Sequence, residues 1–355
     1  MPRLLAWLMP LALILGLIVP SPATAEEGKL WMTYPGGDGP GKGKHIVLVS
    51  GDEEYRSEEA LPQLGKILSV HHGFKCTVLF AMSDDGSHID PNNGSNIPGL
   101  EALADADLMI MALRFHNLPD EQMKHIDAYL KSGRPVIGMR TSTHAFNIPE
   151  GKTYSYYGWK HKKGERDAPW GGGGFGGFVL GETWINHHGH HKKEGTNGIV
   201  VKEETNHPIV QGIKDGDVWG DTDVYGIRLP LPGDSKPLVL GEVVAGLEPG
   251  GEPNAKKNNP MMPVAWTKSY QLPDGGKKGM VFTTTLGSST DLKYEGTRRM
   301  LVNAAYYLTN IDVPSGGAKA DVVGTFEPTM YAFKRQKGYW KEKNMKPSDF
   351  AIEKK

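Results

Sequence analysis

The sequence of 355 residues contains a single cysteine, Cys76. An intramolecular disulfide is therefore excluded, and the apolar core must hold the fold together. The sequence also lacks an excess of either charge, because 40 basic and 41 acidic residues leave a formal net charge of −1. This balance gives no electrostatic basis for binding nucleic acid or an anionic membrane surface.

The sequence lacks a phosphate-binding loop, a G-x-S-x-G nucleophile motif and any internal repeat. The segment WGGGGFGGF (170–178) is rich in glycine but lacks the Lys-Ser/Thr ending of a phosphate-binding loop. We expect it to form a mobile cover over the functional site, with Trp170, Phe175 and the nearby Trp184 available for stacking. Ordinary loop packing is the alternative. The G-x-S-x-G frame is absent around Ser142, which argues against a serine nucleophile there.

The first 25 residues predict a secretory signal peptide. Arg3 precedes an apolar run from Leu4 to Val19, and an A-x-A arrangement ends at Ala25. The run is about 16 residues long, short of the roughly 20 that a membrane span needs. We therefore expect export to the periplasm or the medium without a stable membrane anchor. An extended lead-in is expected over residues 26–43.

Residues 44–312 show the alternating pattern of an α/β domain. Apolar runs predict buried strands, and segments with helical spacing predict helices before Gly73 and Gly133 and over 294–310. The strands are expected at 45–50, 75–81, 106–113, 134–139, 198–203, 237–245, 262–267 and 279–285. The order of elements in the first half predicts a mainly parallel sheet with right-handed crossovers. We expect an insertion at about 145–235 and a tail over 313–355 packed on the domain.

Polar residues follow three of the predicted strands. The loops GDEEYRSEE, RFHN and RTSTHAF come directly after the strands at 45–50, 106–113 and 134–139. Ligands bind outside the carboxyl ends of the strands in an open parallel sheet. The candidate site residues of these loops are Glu53, Glu54, Tyr55, Arg56, Arg114, His116, Arg140, Thr141 and His144. A structural role remains the alternative for Glu53, Glu54 and Arg56, and a buried ion pair is the alternative for Arg114.

The stretch TWINHHGHHKKEG (183–195) holds four histidines within five residues. Adjacent side chains diverge, so one ion takes only one or two of them, such as His188 with His190 or His187 with His190. Imidazole and carboxylate ligands suit zinc, manganese or iron. The remaining ligands would come from elsewhere, with Glu194, Asp221, Asp223 and His207 as candidates. A metal site, an active-site role without metal and an exposed polar loop all remain open.

Several segments resemble the ThuA-like family, especially its exported bacterial members. They are IVLVSGDEEYRSEEALPQLGKIL, ADLMIMALRFHNLPDEQM, PVIGMRTSTHAFN, NHPIVQGI, DTDVY, PVAW and KKGMVFTTTLG, and they span roughly residues 44 to 310. The resemblance implies a flavodoxin-like, class I glutamine amidotransferase-like, doubly wound fold and a link to carbohydrate catabolism. Family members often place histidine after the final glycine, whereas Ser288 follows Gly287 here. Glutaminase activity is not expected, since Arg140 and Thr141 occupy the turn where that chemistry needs a cysteine.

The polar loops and the resemblance together predict an exported enzyme that acts on a sugar or keto-sugar by acid–base chemistry. His144, His187 or Glu54 would move the proton, and Arg56, Arg114 and Arg140 would hold substrate oxygens. Further substrate contacts are expected from Glu53, Tyr55, His116, Thr141, Trp184 and Asp223. The alternatives are a carbohydrate-binding module without activity and a metal-dependent hydrolase that uses His188 and His190. A homo-oligomer is also left open.

Overall fold

The computed structural model describes residues 30–352, so the predicted signal peptide lies outside the described residues. Within this range, ten strands form one sheet in the order β1-β3-β2-β4-β5-β10-β9-β8-β6-β7. Their bounds are β1 Trp31–Tyr34, β2 His45–Gly51, β3 Lys75–Phe80, β4 Leu108–Leu113, β5 Val136–Met139, β6 Glu194–Val200, β7 Trp219–Gly220, β8 Lys236–Ala245, β9 Met262–Tyr270 and β10 Gly279–Thr284.

The sheet has a parallel half and an antiparallel half. Strands β3, β2, β4, β5 and β10 are parallel to one another, whereas β1 and the run β9-β8-β6-β7 pair antiparallel. The predicted α/β class is confirmed, but half of the strands depart from the parallel arrangement. The chain between β9 and β10 is too short for a helical crossover, and such short connections join antiparallel neighbours.

Helices cover both faces of the parallel half. The helices are α1 Ser57–His72, α2 Asp120–Lys131, α3 Glu295–Leu308 and the short α4 Tyr339–Lys343. Ile46 and Leu48 of β2 pack in the core that contains α1 and α3, while Val47 and Val49 pack in the core that contains α2. Successive strand residues point to opposite faces. Burial on both faces therefore explains why this strand is apolar throughout.

Helix α1 ends where the sequence predicts. Gly73 has a φ of 78°, its N–H donates to the carbonyl of Ser69 (3.0 Å), and the N–H of Phe74 donates to the carbonyl of Leu68 (3.2 Å). The left-handed conformation suits glycine, which has no Cβ to clash. Among the described residues, no helix is long and apolar enough to cross a bilayer.

The C-terminal segment crosses the domain in an extended course. The carbonyl of Lys319 accepts a hydrogen bond from His72 (2.8 Å), and the ring of Phe350 stacks on Phe80 with centroids 5.6 Å apart. The Tyr34 hydroxyl donates to the carbonyl of Phe350 (2.8 Å). These contacts anchor the segment near both of its ends.

The glycine-rich segment does not form a cover with exposed aromatic rings. Trp170 and Phe175 are buried, and residues Phe175–Leu180 form a π-helical turn. A Cβ on Gly176 would lie 1.9 Å from the carbonyl oxygen of Thr143. The glycines allow this turn to lie directly against residues 140–144, so the segment supports the site from the core. Of the three rings that we expected to be available, Trp170 and Phe175 instead fill the space beneath that turn, and only Trp184 is partly exposed.

We expect Gly176→Ala to lower the free energy of unfolding by about 1–3 kcal/mol, because the added methyl group overpacks the contact with Thr143. Gly164→Ala is the matched control, since a Cβ there meets no atom within 4 Å. Urea unfolding of both variants measures the difference. Equal midpoints for the two variants would contradict the close packing of the glycine-rich segment.

Candidate functional site

A fully buried arginine lies at the centre of the candidate site. Arg140 directly follows β5 and adopts a left-handed φ of 44°. Its Nη1 donates to the carbonyls of Asp223 and Thr285, both at 2.7 Å, and its Nη2 donates to Asp223 Oδ1 and the Tyr55 hydroxyl, both at 3.1 Å. The guanidinium lies between the rings of Tyr55 (4.5 Å) and Tyr225 (3.8 Å). Arg140 therefore joins three separate chain segments and is not free to bind substrate oxygens.

Asp223 is the carboxylate on which the site converges. It is completely buried, and it accepts hydrogen bonds from Arg140, from His187 Nδ1 (2.7 Å) and from His191 Nδ1 (3.0 Å). Burial alone would raise the pKa of Asp223, but Arg140 and the two histidines outweigh it and hold the pKa well below its usual range. Asp223 is therefore ionised at neutral pH.

His187 is held by one nitrogen and open at the other. An ionised carboxylate only accepts hydrogen bonds, so the bond to Asp223 places the proton on Nδ1 of His187. In the neutral ring Nε2 then carries the lone pair, and no described residue hydrogen-bonds to it. The side chain is 36% exposed, and its ring lies 5.7 Å from each of the rings of Trp184 and Tyr225. This is the arrangement of an oriented general base.

His191 lies between two carboxylates. Its Nδ1 is 3.0 Å from Asp223 Oδ1, and its Nε2 is 3.2 Å from Glu54 Oε1. Both ring nitrogens must donate to acceptor-only groups, which makes the ring an imidazolium. The hydrogen bonds to Asp223 and Glu54 raise the pKa of His191 to about 9, against the opposing effect of burial. His191 therefore supplies a fixed positive charge beside His187, with ring centroids 4.8 Å apart.

His144 is a buried, neutral histidine on the other side of Trp184. Its ring centroid lies 4.8 Å from that of Phe115 and 5.7 Å from that of Trp184. Burial, and then the nearby charges of Arg114 and Arg140, hold the pKa of His144 well below its usual range. No hydrogen bond joins His144 to His187 in the described structure. A proton-transfer role for His144 thus stays a prediction.

Arg114 links the first and second polar loops. Its Nη1 donates to Glu53 Oε1, and its Nε lies 3.8 Å from Glu54 Oε2. The guanidinium also lies over the rings of Phe115 (4.5 Å) and Phe333 (4.9 Å). Burial and the neighbouring Asp52 raise the pKa of Glu53 to about 7, despite the Arg114 contact. Arg114 is therefore ion-paired with Glu53, which was the structural alternative to substrate binding. The pair lies beside the open face of the site, the surface around the exposed ring of His187.

Thr141 and Tyr55 support the polar loops from within. The Thr141 hydroxyl donates to Asp52 Oδ2, while Asp52 Oδ1 accepts from the backbone N–H groups of Glu54 (2.9 Å) and Tyr55 (3.0 Å). Tyr55 and Thr141 are both buried. The Tyr55 hydroxyl accepts from Arg140 Nη2 (3.1 Å), so both side chains have partners within the loops and a supporting role in place of the predicted substrate contact.

Two other predicted substrate contacts lie away from His187. His116 is completely buried and bonded through Nε2 to the carbonyl of Gly51 (2.6 Å), and burial lowers its pKa to about 4. Arg56 is buried against Glu58 and Glu59, both at 2.8 Å, under the ring of Trp340. Neither reaches the open face, because each side chain points into the packing around its own loop.

His188 and His190, the predicted metal ligands, do not converge. His188 Nε2 bonds to the carbonyl of Lys257 (2.6 Å), and the side chain of His190 is 69% exposed beside Glu194. The group that does converge is His187, His191 and Asp223, whose candidate ligand atoms all lie within 4.8 Å of one another. The reason is local pairing, since His187 forms a β-bridge with Tyr225 and the N–H of His188 donates to Val224 (2.9 Å). This pairing turns adjacent histidines to opposite sides.

Tyr331 of the C-terminal segment is a site residue that sequence reasoning missed. Its buried ring lies 5.0 Å from that of Tyr55 and 5.5 Å from that of His191, and its hydroxyl donates to the carbonyl of Asp221 (3.0 Å). The only signal was the aromatic and basic composition of the tail. Composition cannot show which ring reaches the site across such a distance along the chain.

The site is an open face at the protein surface, where the side chain of His187 is 36% exposed and that of His191 is 28% exposed. A depression of about 490 Å³ lies elsewhere, between the lead-in and the start of β3, and is lined by Lys42, Lys44, His45 and Lys75 among others. That depression is at the amino ends of the parallel strands. It contains none of the groups that converge on Asp223.

We expect Asp223→Asn to destabilise the fold by about 3–5 kcal/mol, because it leaves the buried charge of Arg140 without its carboxylate. Asp312→Asn, at an exposed position, is the control and should change the unfolding free energy by less than about 0.5 kcal/mol. Guanidinium unfolding checks both values. A loss below about 1 kcal/mol for Asp223→Asn would show that the pair is not needed to hold the site.

We expect an NMR titration of His191 to show a midpoint near pH 9, and Glu54→Gln to lower it by removing one of the two carboxylates. Since an unfolded histidine titrates near pH 6.5, His191 stabilises the fold fully below about pH 6.5, and this contribution is lost as the pH rises through about 9. Glu252→Gln, an exposed change of the same kind, should leave the midpoint where it is. A wild-type midpoint near 6.5 would contradict the imidazolium assignment.

No family model and no curated protein matches the sequence. Among solved structures, the chain is similar to a protein provisionally described as ThuA-like from Parabacteroides merdae, at 14% identity and a TM-score of 0.45, over 82% of this chain and 98% of that one. It is also similar to a protein described in the same way from Bacteroides uniformis, at 15% identity and a TM-score of 0.45, over 80% of this chain and 98% of that one. The similarity to the N-terminal domain of mmIFT52 has 12% identity and a TM-score of 0.34, over 76% of this chain and 99% of that one. The first two carry the description of the family that the sequence motifs resemble, and none of these likenesses bears on activity.

Proposed function

We propose that this protein is an enzyme that moves a proton on a sugar or keto-sugar, with His187 as the general base. The buried Asp223 carboxylate carries the proposal, because it is kept ionised by Arg140 and accepts the Nδ1 proton of His187. A general base needs a fixed ring and an available lone pair. His187 Nε2 meets both conditions at the open face.

The fixed charge of His191 supports chemistry in which negative charge develops. Removal of a proton from a carbon beside a carbonyl group places charge on the carbonyl oxygen. The imidazolium of His191, 4.8 Å from His187 between ring centroids, offsets the negative charge of Glu54 and Asp223 beside the base, although both of its N–H groups are already bonded to those carboxylates. The reaction class that fits is therefore proton abstraction next to a carbonyl, as in an isomerase or a lyase.

The aromatic surroundings of His187 support a carbohydrate substrate. Trp184 lies 5.7 Å from His187, and Trp159 lies 6.2 Å from Trp184, measured between ring centroids. Both indoles are partly exposed. An indole face offers a large, rigid apolar surface at low conformational cost, which suits the C–H face of a sugar ring.

The topology supports a doubly wound, flavodoxin-like assignment for the parallel half. The order β3-β2-β4-β5-β10 follows the strand order of flavodoxin-like sheets, and the candidate site lies at the carboxyl ends of β2, β4 and β5. Arg140 occupies the turn after β5 where a glutaminase would need a cysteine. We propose a class I glutamine amidotransferase-like fold without glutaminase activity, in an exported protein that meets its sugar outside the cytoplasm.

A metal-dependent hydrolase is the second candidate function. Two imidazoles and a carboxylate, from His187, His191 and Asp223, match the ligand preferences of zinc, manganese and iron. A bound ion of this kind would supply a water molecule activated for attack. His191 would first have to lose its proton, because both of its nitrogens donate to carboxylates.

The test is turnover of a panel of disaccharides and their keto derivatives by the purified protein, with and without EDTA. We expect activity that resists EDTA and that His187→Gln lowers by about 10²- to 10⁴-fold. His188→Gln is the matched control, since the neighbouring ring bonds to Lys257 and faces away from Asp223. It should retain wild-type turnover.

Other outcomes of the turnover test favour other functions or refute the proposed base. Activity that disappears with EDTA and returns with added zinc, manganese or iron would favour the metal-dependent hydrolase. Sugar binding without turnover by the wild type would favour a carbohydrate-binding module. Equal turnover by His187→Gln and His188→Gln would refute His187 as the base.

A further inference from the structure

A row of partly exposed rings crosses the open face of the site. It consists of Trp159, Trp184, His187 and His191, with successive ring centroids 6.2, 5.7 and 4.8 Å apart. The candidate base, His187, is an inner member of the row. Rings extend from it in both directions, so a ligand that covers the row has to be longer than a single sugar unit.

Lysines stand at both ends of the row. Near one end, the ammonium groups of Lys160 and Lys163 lie 5.1 and 4.7 Å from the centroid of Trp159. At the other end, Lys192 lies 5.7 Å from the centroid of Tyr331, the buried ring that packs under His191. The chain holds Lys192 there through a left-handed φ of 61°, a conformation that is costly for lysine.

The carboxylates close to these lysines are paired with other cations, and Glu182, which attracts Lys163, is bonded to Arg228. Glu54 and Asp223, the carboxylates at the row, are both bonded to His191, and they also lie next to Arg114 and Arg140 respectively. In contrast, Lys160, Lys163 and Lys192 form no ion pair with any acid in residues 30–352. Lys163 donates only to a neutral partner, the carbonyl of Trp184 (2.9 Å). Uncompensated positive charge therefore flanks the row on both sides.

We propose that the substrate is an anionic oligosaccharide, with carboxylate-bearing sugar units that lie along this row and meet a lysine at each end. The proposal rests on the proposed function and names the substrate class of the same site. Aromatic faces bind the sugar rings whatever their charge, and the lysines select chains that carry carboxylates. Because the contacts are exposed, the selection weakens as salt rises.

The test compares trigalacturonate with its fully methyl-esterified form, which has the same rings but no charge. Quenching of tryptophan fluorescence measures binding to the wild-type protein. We expect trigalacturonate to bind at least about tenfold more tightly at low salt, and the ratio to fall towards one in about 1 M NaCl. Lys163→Gln and Lys192→Gln should each weaken its binding by about two- to fivefold, as expected for exposed charge pairs.

Matched controls lie next to each lysine. Lys162 and Lys193 are exposed neighbours, and neither lies over the ring of Trp159 or Tyr331, so Lys162→Gln and Lys193→Gln should leave the ratio of affinities unchanged. Equal affinity for the acid and its ester, no binding of trigalacturonate at millimolar concentration, or equal effects of all four substitutions would each overturn the inference. Turnover of a neutral keto-sugar that depends on His187 would then leave the proposed function standing, whereas selective binding of the acid without any turnover would support the anionic ligand and refute the proposed enzyme.

Discussion

The buried ion pair between Arg140 and Asp223 is the interaction on which the site depends. Burying two charges is costly unless each is paired and fully hydrogen-bonded. Here the two terminal nitrogens of the guanidinium bond to the carbonyls of Asp223 and Thr285, the Asp223 carboxylate and the Tyr55 hydroxyl, whereas its buried Nε has no partner among the described residues. These partners come from the loop after β2, the segment before β8 and the end of β10. One side chain thus fixes where three distant parts of the chain meet, and it does so beside the open face.

Because of that ion pair, three nearby histidines have different protonation states and different roles. Asp223 orients His187 through one hydrogen bond and leaves its second nitrogen available. The same carboxylate, together with Glu54, keeps His191 protonated, while burial beside positive charges keeps His144 neutral. Identical side chains thereby acquire different protonation states from their surroundings, which is how one site can hold both a base and a fixed charge.

Much of this arrangement follows from local patterns, and some of it does not. The buried strand β2, helix α1 with its glycine cap, and the polar loops that carry Glu54, Arg140 and His144 were all predictable, because burial and strand ends leave a clear signature. The choice of His187 and His191 over His188 and His190 was not, because it depends on a bridge to Tyr225. Nor was the burial of Trp170 and Phe175, since a run of glycines predicts mobility as readily as close packing.

The sequence by itself determined the α/β class, the positions of the parallel strands and the residue types available at their carboxyl ends. These features rest on periodicity and on short-range steric rules, which act within a few residues. Only the tertiary structure decided that Asp223 lies between Arg140 and two histidines, and that Tyr331 packs beneath one of them. The physical reason is that hydrogen bonds and ring contacts between residues far apart in the chain have no periodic trace, so the candidate site exists only once the sheet brings those segments together.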